Sequence, residues 1–186
     1  MLKKIAIIGP ESTGKSTLCE QLAKHYKSLW CPEYAREYLL KHGKKYKYDD
    51  LLTIAKGQLA LEDEYIDLAN KGRLHLPFTI HHSPLFIDTD MYVMKVWSEF
   101  VFGKCHRYIT GQLKERKYDF YLLCNTVLPW VKDELREYPD LETRQKLYHI
   151  YKNLMISQPV PWTDITGNYE ERLQKAIAVV DKRLKN

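Results

Sequence analysis

The chain has 186 residues, of which 45% are hydrophobic and 28% charged, and its formal net charge is +5. A chain of this size and composition can bury one sizeable core but not two, which predicts a single globular domain over residues 1–186. No stretch approaches the roughly 18 consecutive apolar residues of a membrane span, and no secretory pattern is found at the N-terminus, so we expect a cytoplasmic protein.

The first predicted strand, residues 3–8, runs into a glycine-rich turn with the phosphate-binding pattern G-x-x-x-x-G-K-[ST]. Its glycines let backbone N–H groups turn around a phosphate chain, and the following helix adds its positive N-terminal end. Lys15 is predicted to reach the β- and γ-phosphates and Ser16 to bind Mg²⁺. The pattern predicts a site for Mg²⁺ and a nucleoside triphosphate, ATP or GTP, and its nucleotide-binding residues are Gly9, Glu11, Ser12, Thr13, Gly14, Lys15, Ser16 and Thr17.

The second predicted strand, residues 28–32, leads into Glu33-Tyr34-Ala35-Arg36. In the sheet of a phosphate-loop kinase this strand lies on the acceptor side, where a carboxylate can take or orient the proton of an attacking hydroxyl. We therefore predict that Glu33 is catalytic and contacts the substrate, and that Arg36 binds substrate or phosphate. An acid at a helix N-terminus also stabilises the helix dipole, so a purely structural Glu33 stays open.

The region between the second and third strands is predicted to be mostly helical. Apolar residues from Tyr48 to Asn70 recur on one face, the pattern of a helix that packs against a sheet. Residues 41–47 form the one dense basic cluster, which fits a solvated loop or a rim that steers anions. Basic residues elsewhere are spread among acids rather than gathered in an arm, a distribution that does not favour a nucleic acid partner.

The third predicted strand, residues 79–88, ends in the acid Asp88. An apolar strand that ends in a carboxylate has the form of a Walker B element, so Asp88 is predicted to be catalytic and to hold Mg²⁺ directly or through water. A lone acid at the end of a strand, such as Asp88, is more often a helix cap, so this signal gains its weight from the phosphate loop upstream. Asp90, two residues further on, is predicted to face the substrate. His81 and His82 are interpreted as partly buried neutral side chains.

The fourth predicted strand, residues 118–124, is followed by a charge-dense stretch. The pattern from Val131 to Met155 predicts two helices separated by Pro139, with Asp140 capping the second. This stretch would form a lid over about residues 128–145. Arginines on a closing lid, here Arg136 and Arg144, can neutralise a transferring phosphoryl group, although salt bridges along the helix surface are an alternative.

A fifth predicted strand, residues 160–165, completes an alternation of strands and helices. This alternation predicts an α/β domain with a mostly parallel five-stranded sheet, whose ligands bind at the carboxyl ends of the strands. Four cysteines without a C-x-x-C spacing predict buried thiols rather than zinc ligands or disulfides, and they are Cys19, Cys31, Cys105 and Cys124.

Several motifs, in chain order, resemble the ribosylnicotinamide kinase domain of NadR-type proteins, which have a three-layer P-loop NTPase fold. They are Gly9 to Thr17 (GPESTGKST), Glu33 to Leu39 (EYAREYL), Phe86 to Asp90 (FIDTD), Tyr121 to Trp130 with Asp133 and Arg136 after it, and Gly167 to Arg172 (GNYEER). The resemblance implies an ATP-dependent kinase that phosphorylates nicotinamide riboside on its 5′-hydroxyl, a salvage step toward NAD. It also implies a catalytic lid arginine at Arg136, acidic motif positions at Glu33 and Asp88, and adenine-flanking loops at Asn125 and Tyr169.

Some features leave the function open. Full-length NadR-type proteins carry an adenylyltransferase domain ahead of the kinase, whereas this chain starts at the first kinase strand, so we expect no adenylyltransferase activity. Trp97 and the aromatic residues after it could stack on a pyridine ring or pack in the core. A kinase of another nucleoside or of a polynucleotide 5′ end, and a nucleotide-binding switch protein, are the alternatives. A homo-oligomer is also open.

Overall fold

The computed structural model describes residues 2–74 and 83–185, in which five parallel strands form one sheet in the order β2-β3-β1-β4-β5. The strands are β1 (Lys4–Ile8), β2 (Trp30–Cys31), β3 (Leu85–Asp88), β4 (Phe120–Cys124) and β5 (Trp162–Ile165). The helices are α1 (Lys15–Tyr26), α2 (Tyr34–His42), α3 (Tyr48–Leu74), α4 (Met91–Phe102), α5 (Arg107–Glu115), α6 (Leu141–Ser157) and α7 (Tyr169–Leu184).

The sheet is covered on both faces, which makes three layers. Successive residues of the central strand β1 point to opposite faces, so Ile5 and Ile7 pack with α1 and α7, whereas Ala6 and Ile8 pack with α4 and α6. Residues 5–8 are all buried for this reason. The predicted α/β class, the parallel five-stranded sheet and the P-loop fold are confirmed.

The predicted strands correspond to observed ones with shorter bounds. The predicted strand over residues 79–88 is observed from Leu85, and its residues up to 82, including His81 and His82, lie outside the described residues. The predicted helix at Tyr48 is α3. The four cysteines, all in described positions, are free thiols, and three of them are buried. Across the described ranges, no helix is long and apolar enough to cross a membrane.

The predicted pair of lid helices is wrong in its first member. Residues 125–140, all of them described, contain no helix, and only α6 follows Pro139. The backbone N–H groups of Val131, Glu137 and Tyr138 donate to side chains of the phosphate loop instead of to helical carbonyls. The predicted cap is present, because Asp140 Oδ1 accepts the N–H of Thr143 at 2.7 Å. We call residues 128–145 the lid segment.

Candidate active site

A cavity of about 340 Å³ lies at the carboxyl ends of β1, β2 and β3. Its walls come from the phosphate loop, from α2, from α4 and from the lid segment. The predicted site residues that line it are Gly9, Glu11, Ser12, Thr13, Gly14, Lys15, Ser16, Thr17, Glu33, Arg36, Asp88, Trp97 and Arg136. The remaining three, Asp90, Asn125 and Tyr169, are not among its lining residues. The fold therefore brings together most residues that the sequence singled out.

The phosphate loop has the conformation that its glycines allow. Gly9 has φ 138°, and a Cβ there would lie 2.6 Å from the carbonyl oxygen of Cys124. Gly14 has φ 73° and precedes the first turn of α1. Lys15 Nζ donates to the carbonyl of Pro10 at 2.9 Å, which folds the ammonium group over the loop. The loop thus places a cation and a helix N-terminus at one side of the cavity.

Asp88 is fully buried at the end of β3 and is bonded to the phosphate loop. Ser16 Oγ donates to Asp88 Oδ2 at 2.5 Å. Burial and then the Glu33 carboxylate raise the pKa of Asp88 to about 7, against the opposing effects of Lys15 and Ser16. The other carboxylate oxygen, Oδ1, is buried and has no hydrogen-bond partner among the described residues. An orphaned buried oxygen beside a serine hydroxyl is the donor chemistry that a hard cation requires.

Glu33 is the N-cap residue of α2, but its carboxylate makes no capping bond. Gln58 of α3 caps the helix instead. Its Oε1 accepts the N–H of Tyr34 at 2.7 Å, and its Nε2 donates to the carbonyl of Pro32 at 3.2 Å. Thr89 Oγ1 donates to Glu33 Oε1 at 3.4 Å. Because Gln58 satisfies the backbone on both sides of Glu33, that carboxylate remains available to the cavity.

Sequence reasoning missed Gln58, which no local motif marks. The preceding residue, Gly57, also has a defined structural role: a Cβ there would lie 2.1 Å from the Tyr34 ring, so a larger residue would clash with it. Gln58 itself is only 1% exposed. In the sequence, Gln58 follows a glycine and falls at helical spacing from Leu51 and Ile54, so a polar residue on the apolar face of the helix is the signal that could have drawn attention to this pair.

Two predicted cations make hydrogen bonds to the lid segment, Arg36 from α2 and Arg136 from within the segment itself. Arg36 donates to both carboxylate oxygens of Asp133, at 3.3 and 3.0 Å, so it joins α2 to the lid segment. Hydrogen bonds from Arg36 and from the Leu135 N–H hold the pKa of Asp133 below its usual range. Arg136 donates to the carbonyl of Val131 and lines the cavity.

Two buried arginines donate hydrogen bonds to backbone carbonyls of the phosphate loop. Arg144, which the sequence offered as a lid cation or a surface salt bridge, donates to the carbonyls of Ser12 at 3.2 Å and Leu128 at 3.1 Å. Arg172 donates to the carbonyls of Thr13 and, at 3.3 Å, of Asn125. Each is 2% exposed. Arg144 therefore fits neither sequence-based interpretation, and the role of Arg172 was not predicted.

Asp90 does not face the cavity, contrary to the prediction. It is fully buried, and its Oδ1 accepts the N–H groups of Tyr92 at 2.9 Å and Val93 at 3.2 Å, which caps α4. The chain leaves β3 through Thr89 at φ 77°, so Asp90 no longer follows the alternation of the strand. Asn125 and Tyr169 lie beside the phosphate loop instead: the first accepts from Arg172, and the second lies close to Gly14.

Trp97, which the sequence offered as a substrate-binding or a core residue, lines the cavity from α4. Its Nε1 donates to the hydroxyl of Tyr46 at 2.8 Å, and that hydroxyl donates to Glu137 Oε2 at 3.0 Å. The two rings meet edge to face with centroids 5.0 Å apart. Trp97 and Tyr46 are thereby joined to the lid segment through Glu137.

A family model described as an AAA domain matches residues 4–172. The chain belongs to this AAA domain family. Among curated relatives, the trifunctional NAD biosynthesis/regulator protein NadR of Escherichia coli (strain K12) is 26% identical over 96% of this AAA domain chain and 42% of the NadR length. The chain thus spans about two fifths of the curated relatives that it matches.

Solved structures show the same fold. NadR in complex with NR aligns with 100% of this AAA domain chain and 52% of its own, at a TM-score of 0.77 and 21% identity. NadR in complex with NAD and AMP-PNP aligns with 100% of this chain and 50% of its own, at a TM-score of 0.66 and 21% identity. The resemblance to NadR-type proteins read from the motifs is confirmed.

Proposed function

We propose that residues 1–186 form a single kinase domain that transfers the γ-phosphoryl group of ATP to the 5′-hydroxyl of nicotinamide riboside, giving nicotinamide mononucleotide. The observation that carries this proposal is the convergence of a phosphate loop, two carboxylates and a lid arginine on one cavity. The likeness to NadR, whose solved complexes contain NR in one case and NAD with AMP-PNP in another, supports this choice of substrates. A cavity of about 340 Å³ suits a small acceptor better than a polynucleotide.

On this proposal the phosphate loop binds the triphosphate through its backbone N–H groups and the first turn of α1. Lys15 exchanges its bond to the Pro10 carbonyl for the β- and γ-phosphates. Tyr169 and Asn125 lie beside the loop and outside the cavity, and we assign them to flank the adenine base. Arg144 and Arg172 hold the loop carbonyls, so its N–H groups stay oriented.

Ser16 and Asp88 are the residues that would hold Mg²⁺. Asp88 has a buried oxygen without a partner among the described residues, and Ser16 lies beside it. In the described part of the chain no three or more His, Cys, Asp or Glu side chains group into a metal site, so phosphate oxygens and water would supply the remaining ligands. Bound Mg²⁺ would neutralise charge on the β- and γ-phosphates.

The protein's own contribution is positioning and proton handling. Glu33 accepts or orients the proton of the attacking hydroxyl, since Gln58 satisfies the backbone around it. Arg136 stabilises the negative charge on the transferring group, and the lid segment excludes water. Trp97 contacts the acceptor through its ring face.

The test is to incubate the protein with Mg-ATP and a panel of nucleosides, including nicotinamide riboside, and to identify the phosphorylated product by mass spectrometry. The proposal expects nicotinamide riboside to gain one phosphate faster than the other nucleosides. Phosphorylation of a different nucleoside would replace the acceptor but keep the kinase. ATP hydrolysis without any phosphorylated nucleoside would contradict the proposed function.

A further inference from the structure

Two side chains of the phosphate loop bind the lid segment. Ser12 Oγ accepts the N–H of Val131 at 2.9 Å. The Glu11 carboxylate accepts two consecutive N–H groups, from Glu137 at 3.0 Å through Oε2 and from Tyr138 through Oε1. The loop therefore holds residues 131–138 at both ends, and we call this stretch the tethered segment.

The chemistry of Glu11 makes this contact informative. A phosphate loop binds its anion through backbone N–H groups, which leaves the side chains at the x positions of G-x-x-x-x-G-K free for other contacts. A carboxylate in that loop would repel a triphosphate unless its charge were engaged elsewhere. Two backbone donors engage both oxygens of Glu11, in hydrogen bonds that are stronger because the acceptor is charged.

We propose that Glu11 is a positioning residue for catalysis, which holds the tethered segment so that Arg136 faces the cavity. Arg136 directly precedes Glu137, the residue whose N–H bonds Glu11. The catalytic consequence rests on the proposed kinase function, whereas the tether itself does not. Arg36 adds an anchor from the acceptor side through Asp133, so the segment is held by the elements that would bind both substrates.

The experiment compares Glu11→Ala and Glu11→Gln with the matched control Glu134→Gln, which removes a charge from an exposed side chain in the tethered segment itself. Hydrogen exchange of peptides covering residues 131–138 is measured without nucleotide by mass spectrometry. We expect exchange on the order of tenfold faster in Glu11→Ala, an intermediate rate in Glu11→Gln, which keeps one acceptor oxygen, and the wild-type rate in the control.

Steady-state kinetics then separate positioning from nucleotide binding. We expect Glu11→Ala to lower kcat for nucleoside phosphorylation about tenfold, while KM for ATP changes by less than about threefold. An exchange rate equal to that of the control would overturn the tether. Unchanged kcat, or a loss confined to KM for ATP, would overturn the positioning role.

These results also keep the two proposals apart. A wild-type protein that phosphorylates no nucleoside would remove the kinase assignment, yet the exchange measurement would still decide whether Glu11 holds residues 131–138. Should Glu11→Ala fail to fold, Glu11→Gln carries both comparisons.

Discussion

Ser16 Oγ lies 2.5 Å from Asp88 Oδ2, and this contact joins the phosphate loop to the end of β3. The two residues are far apart in the chain and meet because β1 and β3 are neighbouring parallel strands, paired at Ile7 and Asp88. The loop after β1 and the acid that ends β3 therefore arrive at one edge of the sheet. The proposed metal site depends on that register.

Asp88→Asn is expected to lower the phosphoryl-transfer rate about a hundredfold or more at ordinary Mg²⁺ concentration and to be partly rescued by excess Mg²⁺. An amide removes the negative charge that favours the cation, while the side-chain size is kept. The measurement is kcat as a function of Mg²⁺ concentration, with Glu20→Gln on the exposed surface of α1 as the control. Full activity at ordinary Mg²⁺ concentration would show that Asp88 is only structural.

Gln58→Leu is expected to destabilise the fold by about 1–3 kcal/mol, because the partly buried Tyr34 N–H and Pro32 carbonyl lose their partner. Chemical denaturation checks this free energy of unfolding. The same variant should lower kcat more than it changes KM for ATP, because the backbone that carries Glu33 is no longer fixed. A loss of stability of the expected size with an unchanged kcat would mean that Gln58 stabilises the fold and has no role in catalysis.

Asp90→Ala distinguishes a helix cap from a substrate contact. Loss of the cap on α4 should cost about 1–2 kcal/mol of stability. KM for the nucleoside should stay within about threefold of wild type, because Asp90 does not line the cavity. A large rise in KM at unchanged stability would return Asp90 to the substrate site.

The Arg36–Asp133 pair predicts a dependence on acid pH. The pKa of Asp133 lies below its usual value of 3.8, so the ion pair is fully present above that value and is lost as pH falls through the lowered pKa. Asp133 is ionised throughout the range from about pH 5 to about pH 7, so the difference in stability between wild type and Asp133→Asn should be constant there. The difference should shrink in stronger acid, where the carboxylate becomes protonated. Thermal melts across this range check it, and a difference that grows in acid would be inconsistent with the pair.

Much of the site could be predicted because its signals are local. The phosphate loop is one contiguous motif after a strand, and its two motif glycines, Gly9 and Gly14, adopt the positive φ values that favour glycine. Asp88 was identifiable because a buried strand ends in it. The alternation of strands and helices then determines which strand ends share an edge of the sheet.

What could not be predicted depends on long-range contacts. The lid residues have helical composition, yet their N–H groups donate to Glu11 and Ser12, more than a hundred residues earlier in the chain. The sequence predicted that Asp90 would face the substrate, but the turn at Thr89 directs it into a helix cap. Gln58 acts across a helix boundary that no periodicity reveals.

The most direct measurement follows the γ-phosphate of labelled ATP into nicotinamide riboside, in wild type and in Lys15→Ala, with folding of both verified by circular dichroism. The account predicts labelled nicotinamide mononucleotide from wild type and a loss of at least about a hundredfold in the variant, since Lys15 stabilises the transferring phosphoryl group. Equal rates for the two proteins, or no label in the nucleoside with wild type, would contradict it.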